Sequence, residues 1–174
     1  MLPYIALIRA INVGGSGKLA MSDLKAICLK LGFKDVSTYI QSGNVVFRTE
    51  GSEEEVAARL DAALAEVLGK APDVMVRTLA ELSGVLHDNP FAAMEPNRVL
   101  VSFFSTPLPD DALNGIVAPD GEEAVVRGRE IYVHYPIGSG RSKLKLPALK
   151  SGTSRNINTV VKLVGLAKDL DVSR

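Results

Sequence analysis

Apolar positions come in short runs whose spacing changes along the chain, and each change of period predicts a new element. Residues 4–11 form a near-continuous apolar run with β-branched members. The run closes on Asn12-Val13-Gly14-Gly15-Ser16-Gly17, which predicts a buried strand ending in a glycine loop. Leu24, Ile27, Cys28 and Leu31 then recur at helical spacing, predicting an amphipathic helix with Ser22 as N-cap and Gly32 as stop. Val36, Thr38 and Ile40 alternate with polar or small positions, Ser42-Gly43 breaks the run, and Val45 and Phe47 resume it, which predicts a hairpin. Ser52 and Glu55 have the spacing of a capping box ahead of a helix with Val56, Leu60, Leu64, Val67 and Leu68 on its core stripe, stopped at Gly69. A short strand over 74–77 and a third helix, capped by Thr78 and Glu81 and carrying Leu82, Val85 and Leu86, complete the first set.

After His87-Asp88-Asn89-Pro90 the order begins again. It gives a strand over 98–105, a helix from Pro109 to Ile116, and a hairpin over 124–126 and 131–135 turning at Gly128-Arg129. A glycine-rich loop over 136–143, a short helix near 144–150 and a closing helix with Ile157, Val160, Val161 and Val164 on one face follow. These patterns predict an α+β chain of two related ferredoxin-like units of β-α-β-β-α order, with mixed or antiparallel sheets and C-terminal helices. The units are expected at residues 1–90 and 91–174. The first unit has a last strand, whereas the second lacks an obvious one.

At 174 residues with 47% hydrophobic content, the chain can bury a core without disulfides or metals. One Cys excludes an intramolecular disulfide and fits a reducing cytoplasm. No apolar run is long enough to span a bilayer, and no charged n-region precedes the first run, so neither membrane association nor a cleaved leader is expected. The charges, 20 basic against 20 acidic, cancel only in sum. Residues 1–48 hold six basic and two acidic residues, 49–126 hold four and fifteen, and 127–168 hold nine and one. The last block, Arg127, Arg129, Arg141, Lys143, Lys145, Lys150, Arg155, Lys162 and Lys168, marks an anionic partner or a complement to the acidic middle.

The chemistry-bearing patterns are few. Gly15-x-Gly17-x-x-Ala20 fits a permissive dinucleotide fingerprint, but the following strand leads into a hairpin with no acidic residue to hold a ribose. The Walker spacing fails as well. The glycines, Lys18 and the helix start beyond them still make an anion seat. His87 and His134 have no Cys partner at ligand spacing, so no metal is expected, and no cofactor is called for. Three polar clusters stand out: Arg9 in an apolar strand, Gln41-Ser42-Gly43-Asn44 at the hairpin turn, and residues 153–159 at the start of the last helix.

The strings Arg9-Ala10-Ile11-Asn12-Val13-Gly14-Gly15, Lys18 with Met21, Thr38-Tyr39-Ile40-Gln41-Ser42-Gly43-Asn44 and Thr153-Ser154-Arg155-Asn156-Ile157-Asn158-Thr159 resemble the signature segments of the bacterial family catalogued as domain of unknown function 1697. Ala10 stands where the family often has Gly, and Ile157 where it often has an aromatic residue. The resemblance implies an α+β protein of two related small units and supplies no established reaction.

The expectation is a protein that binds a small phosphorylated or otherwise anionic ligand, nucleotides included, between its units. Arg9, Lys18, Arg141, Lys143 and Arg155 would supply charge, Gly14 and Gly15 backbone N–H groups, and Asn12, Gln41, Ser42, Asn44, Thr153, Asn156 and Asn158 polar shape. No catalytic residue is assigned, because Asp23 and Asp35 are the only carboxylates near the N-terminal cluster. The rival readings are a single-stranded nucleic-acid module that stacks bases on Tyr39, Phe47, Phe103, Tyr132 and Tyr135, and a protein-interaction module without a small ligand.

Overall fold

The computed structural model describes residues 1–9, 19–40 and 43–172. It is an α+β structure with two four-stranded antiparallel sheets and four α-helices among the described residues. The chain divides into two compact units, Met1–Ser83 with Lys162–Arg174, and Gly84–Val161.

The first unit is built from β1 (Leu2–Ile8), α1 (Met21–Lys30), β2 (Lys34–Tyr39), β3 (Asn44–Thr49), α2 (Glu53–Leu68) and β4 (Val74–Thr78), with the sheet ordered β2-β3-β1-β4. Alternate residues of the central strands, among them Tyr4, Ala6, Ile8, Val45 and Phe47, join Leu24 and Cys28 of α1 and Val56, Leu60 and Leu64 of α2 in one core. Phe33 stacks on Phe47 with ring centroids 4.3 Å apart, and the Arg59 guanidinium lies over Phe33. Ile5, Leu7, Val46, Met75 and Arg77, the intervening residues, are buried too.

Local signals explain most boundaries. Ser52 and Glu55 form the expected reciprocal box, Glu55 N donating to Ser52 Oγ at 3.2 Å and Ser52 N to Glu55 Oε2 at 2.9 Å. Gly69 ends α2 at φ +87°, a left-handed residue where Gly has no Cβ to strain. Thr78 and Glu81 make the same box, with bonds of 3.1 and 2.9 Å, ahead of α3 (Leu79–His87). Two local expectations fail. Helix α1 begins at Met21 with Ala20 at its N-cap and no side-chain cap, two residues ahead of the Ser22 cap, and Val67, expected in the core, is 58% exposed while its neighbour Leu68 packs on the core. At the β2–β3 turn, Ile40 adopts φ +48° and is half exposed, an unusual backbone for a β-branched residue.

The second unit holds β5 (Val99–Phe103), β6 (Glu123–Arg127), β7 (Glu130–His134) and β8 (Thr153–Asn156), ordered β6-β7-β5-β8. Its core joins Ile131, Val133, Phe104, Tyr135 and Leu146, with Leu108, Leu113, Leu144 and Leu149 packed against them from the connecting segments. The expected helix from Pro109 to Ile116 is a series of turns instead. Ala112, Asn114 and Ile116 donate three residues back rather than four, and Gly115 at φ +80° breaks the run. The short helix near 144–150 is a 3-10 segment, Pro147–Ser151. The segment expected to open the last helix is the missing fourth strand. Thr153–Asn156 pairs antiparallel with β5, Phe103 opposite Thr153 and Leu100 opposite Asn156, and α4 (Ile157–Val172) starts only after it.

Candidate functional site

Of the residues expected to bind an anion, Asn12, Gly14, Gly15, Lys18, Gln41 and Ser42 lie outside the described residues. Arg9 does not sit inside a buried strand. It follows the end of β1, partly exposed, and its Nη1 reaches Asp73 Oδ2 at 3.2 Å while its N donates to Asp73 O at 3.3 Å. Asp73 N in turn donates to Asp61 Oδ1 at 3.1 Å. Burial raises the Asp61 pKa from its ordinary value and the Asp73 charge adds to that, against the lowering effect of the Asp73 N–H bond. These two carboxylates were missed in the sequence. Arg9 meets Asp73 because β1 and β4 pair with Ile8 opposite Val74, a register that no local pattern carries. Asn44 is fully buried and donates to Tyr39 O at 3.0 Å, a bond that closes the hairpin.

The C-terminal cluster divides by strand alternation. Thr153 and Arg155 point to one side of β8 and are each 6% exposed, while Ser154, facing the other way, shares a 2.5 Å hydrogen bond with Ser102. The Arg155 Nη1 donates to Thr153 Oγ1 at 2.5 Å and to Ser154 O at 2.9 Å. Burial draws its pKa down to about 10, which leaves it charged at neutral pH. Asn156 caps α4, its Oδ1 accepting from Asn158 N at 2.7 Å and its Nδ2 donating to Asn97 O at 3.2 Å, while the Asn158 side chain is exposed. Thr153, Arg155 and Asn156 therefore have structural work within the unit, and the polar string that looked like an over-capped helix start is a strand followed by one cap.

Arg141 and Lys143 have a different setting. Residues 115–122 and 136–147 run beside each other in the second unit, tied at several points. Val117 and Lys145 exchange backbone bonds of 2.8 and 2.9 Å. Gly115 approaches Pro147 so closely that a Cβ there would lie 3.3 Å from its Cγ. Ser142 Oγ donates to Glu122 Oε1 at 2.8 Å and accepts from Leu144 N at 3.0 Å, and Asp120 N donates to Glu122 Oε2 at 2.9 Å. Glu122 is 6% exposed. Burial alone would raise its pKa, but the bonds from its own N–H, from Ser142 and from Asp120 outweigh this and hold it below the usual value.

Anchored in this way, the segment alternates. Ser142, Leu144 and Leu146 turn inward, and Arg141, Lys143 and Lys145 are exposed. None of the three cations is held in an ion pair among the described residues. Lys145, absent from the expected site, is the residue that a period-2 reading of Arg141-Ser142-Lys143-Leu144-Lys145-Leu146 would have added.

The aromatic residues weigh against a stacking platform. Phe47, Phe103, Tyr132 and Tyr135 are buried, and the Tyr132 hydroxyl donates to Val85 O at 2.6 Å. Burial pushes the Cys28 thiol up to about 12, so it stays protonated at neutral pH. Among the described residues no three His, Cys, Asp or Glu side chains gather as a metal site, and no helix is long and apolar enough to cross a membrane.

A family model described as a protein of unknown function, DUF1697, matches residues 1–132, a span that stops before β8. A search of curated proteins gives no match. Among solved structures, the conserved bacterial protein SP0830 from Streptococcus pneumoniae is similar in fold, with a TM-score of 0.78 and 22% identity over 95% of this chain and 98% of that one.

Proposed function

The chain belongs to that family of proteins of unknown function, and from this premise we propose that it binds a phosphorylated or otherwise anionic ligand at Arg141, Lys143 and Lys145. The observation that carries the reading is the Glu122–Ser142 clamp: a buried carboxylate, fixed through Oε2 by the Asp120 N–H of its own turn, accepts the Ser142 hydroxyl on Oε1 and so ties down a loop whose outward side chains are cations. From Ile131 to Val161 the sequence has five basic residues and no acidic one, so the loop sits in an uninterrupted positive stretch. Binding would depend on charge-assisted hydrogen bonds from preset positions. Arg155 and Thr153 support the strand that underlies this unit rather than touching the ligand, and Arg9 is held for Asp73. The buried thiol and the single Cys favour a cytoplasmic setting.

We also read each unit as ferredoxin-like. The first unit supports this with its β-α-β-β-α-β order and its sheet order. The second repeats the sheet order with turns and 3-10 segments where the first has α1 and α2.

A thermal-shift series with inorganic phosphate, nucleotides and sugar phosphates tests the binding reading on the wild type and on Arg141→Gln/Lys143→Gln. At a ligand concentration of ~100 Kd the stabilisation is about 2.7 kcal/mol. For a chain of this size that amounts to a rise of roughly 5–10 °C in Tm. The reading fails if no anion raises Tm or if the double variant keeps the full shift.

A further inference from the structure

We infer that the ligand of this basic edge is a linear polyanion, the phosphodiester backbone of a single-stranded nucleic acid, in place of a compact anion; the inference rests on the anion-binding reading above. Its basis is the way the three cations are displayed. Arg141 ends a 3-10 turn, Ser139–Arg141; past it Ser142 and Leu146 are both in extended conformation, Lys145 is bridged to Val117, and exposure alternates from Arg141 to Leu146. In a strand, residues two apart face the same side about 6.7 Å from one another. Lys143 and Lys145, with Arg141 at the end of the turn before them, therefore line up as a row of exposed positive charges along one edge.

A single phosphate or a compact polyphosphate can reach one or two members of such a row, since its charges lie closer together than the row's step. A chain of phosphodiesters in extended form offers one negative charge per step and can meet all three. The neighbouring carboxylates are Asp120 and Glu123, at the Arg141 end where Glu122 meets Ser142. Opposite Lys145 and next to it the facing segment offers Val117 and Ile116, which carry no charge.

The burial of Phe103, Tyr132 and Tyr135 adds the second half of the argument. With no exposed aromatic ring in the described part of this unit, bases find no stacking surface, and recognition falls to the backbone. The binding is then insensitive to base sequence and strongly dependent on salt. The exposed aliphatic residues Ile116, Val117 and Ile137 are what an acidic lipid surface would use instead, and a separate arm of the experiment reads that alternative.

The test is fluorescence anisotropy of labelled oligothymidylate with the full chain, across ~50 to ~200 mM salt. Three phosphate contacts on a single strand give a slope of log K against log salt of about −2, a loss of roughly fifteen-fold over that range. The single variants Lys143→Gln and Lys145→Gln should each flatten the slope by about 0.7, and the triple variant with Arg141→Gln should abolish it. All three positions are exposed, so circular dichroism and Tm of the variants should match the wild type. Parallel arms use inorganic triphosphate and phosphatidylserine vesicles. If triphosphate binds and oligothymidylate does not, the polymer inference falls and the anion-binding reading stands. If neither binds, both fall. Binding only to vesicles, or oligonucleotide binding that survives the triple variant, overturns the inference as well.

Discussion

The last strands of the two sheets, β4 and β8, occupy equivalent places and are written in different alphabets. Each pairs antiparallel with the first strand of its sheet, and each leads directly into a helix. Each carries a buried arginine at the residue before the cap: Arg77 opposite Ile5, and Arg155 opposite Val101. Even the hydrogen bonding repeats, with Arg77 Nη1 donating to Val76 O at 3.0 Å and Arg155 Nη1 to Ser154 O at 2.9 Å. Yet β4 reads Val-Met-Val-Arg-Thr and β8 reads Thr-Ser-Arg-Asn. An edge position beside β5 thus imposes extended backbone on residues that have little strand preference of their own. In β8 Arg155 donates to Thr153 and Ser154 bonds to Ser102 of β5, so side chains and ladder together hold a polar strand in place.

The largest effects should come from removing the two arginines. Arg77→Ala and Arg155→Ala should each cost roughly 2–4 kcal/mol, from the vacated volume and from acceptors left without a donor. Urea denaturation measures both. A loss at Arg155 well under that at Arg77 would mean that the shared geometry does not carry shared energetics. The caps come next. Thr78→Ala removes one cap bond and leaves Glu81 bonded to the residue 78 N–H, whereas Asn156→Ala removes both its cap bond and its bond to Asn97 O, so each should cost about 1 kcal/mol, with Asn156 the more expensive. Equal effects on chemical denaturation would argue that the Asn156–Asn97 bond adds nothing.

The smallest effect concerns the loop clamp, which the first unit lacks any counterpart for among the described residues. Glu122 is held below its ordinary pKa, so its contribution to stability is complete above the carboxylate range and is lost as pH falls through the lowered value. Between about pH 5 and about pH 3, Tm should fall less in Glu122→Gln than in the wild type. Parallel curves would show that the clamp has no energetic role.

The same contrast explains what could be read from the sequence. Where apolar spacing and caps agree, as over α2 with its Ser52–Glu55 box and Gly69 stop, the element is legible to its ends. The paired hairpins are legible for the same reason. Strand β8 is not, because Ser154-Arg155-Asn156 carries cap chemistry and no alternation of apolar residues. Its pairing with β5 is decided some fifty residues away in the chain. The Pro109 segment fails in the opposite direction, since a good helix start is overruled by Gly115 and by the tie to Pro147. The candidate site follows this division. Arg141 and Lys143 were accessible as loop cations in a charge-biased stretch, whereas the Glu122 clamp and the Arg9–Asp73–Asp61 contacts depend on long-range register.

Ile40 has a consequence for how this chain can be improved. Left-handed backbone at a β-branched residue costs on the order of 1–3 kcal/mol, and its half-exposed side chain recovers little of that by packing. Glycine or asparagine would occupy the same turn nearly free of charge. The protein thus holds an unspent reserve of heat resistance in one exchangeable side chain, and a selection for growth at higher temperature should find Ile40→Gly or Ile40→Asn among its first winners.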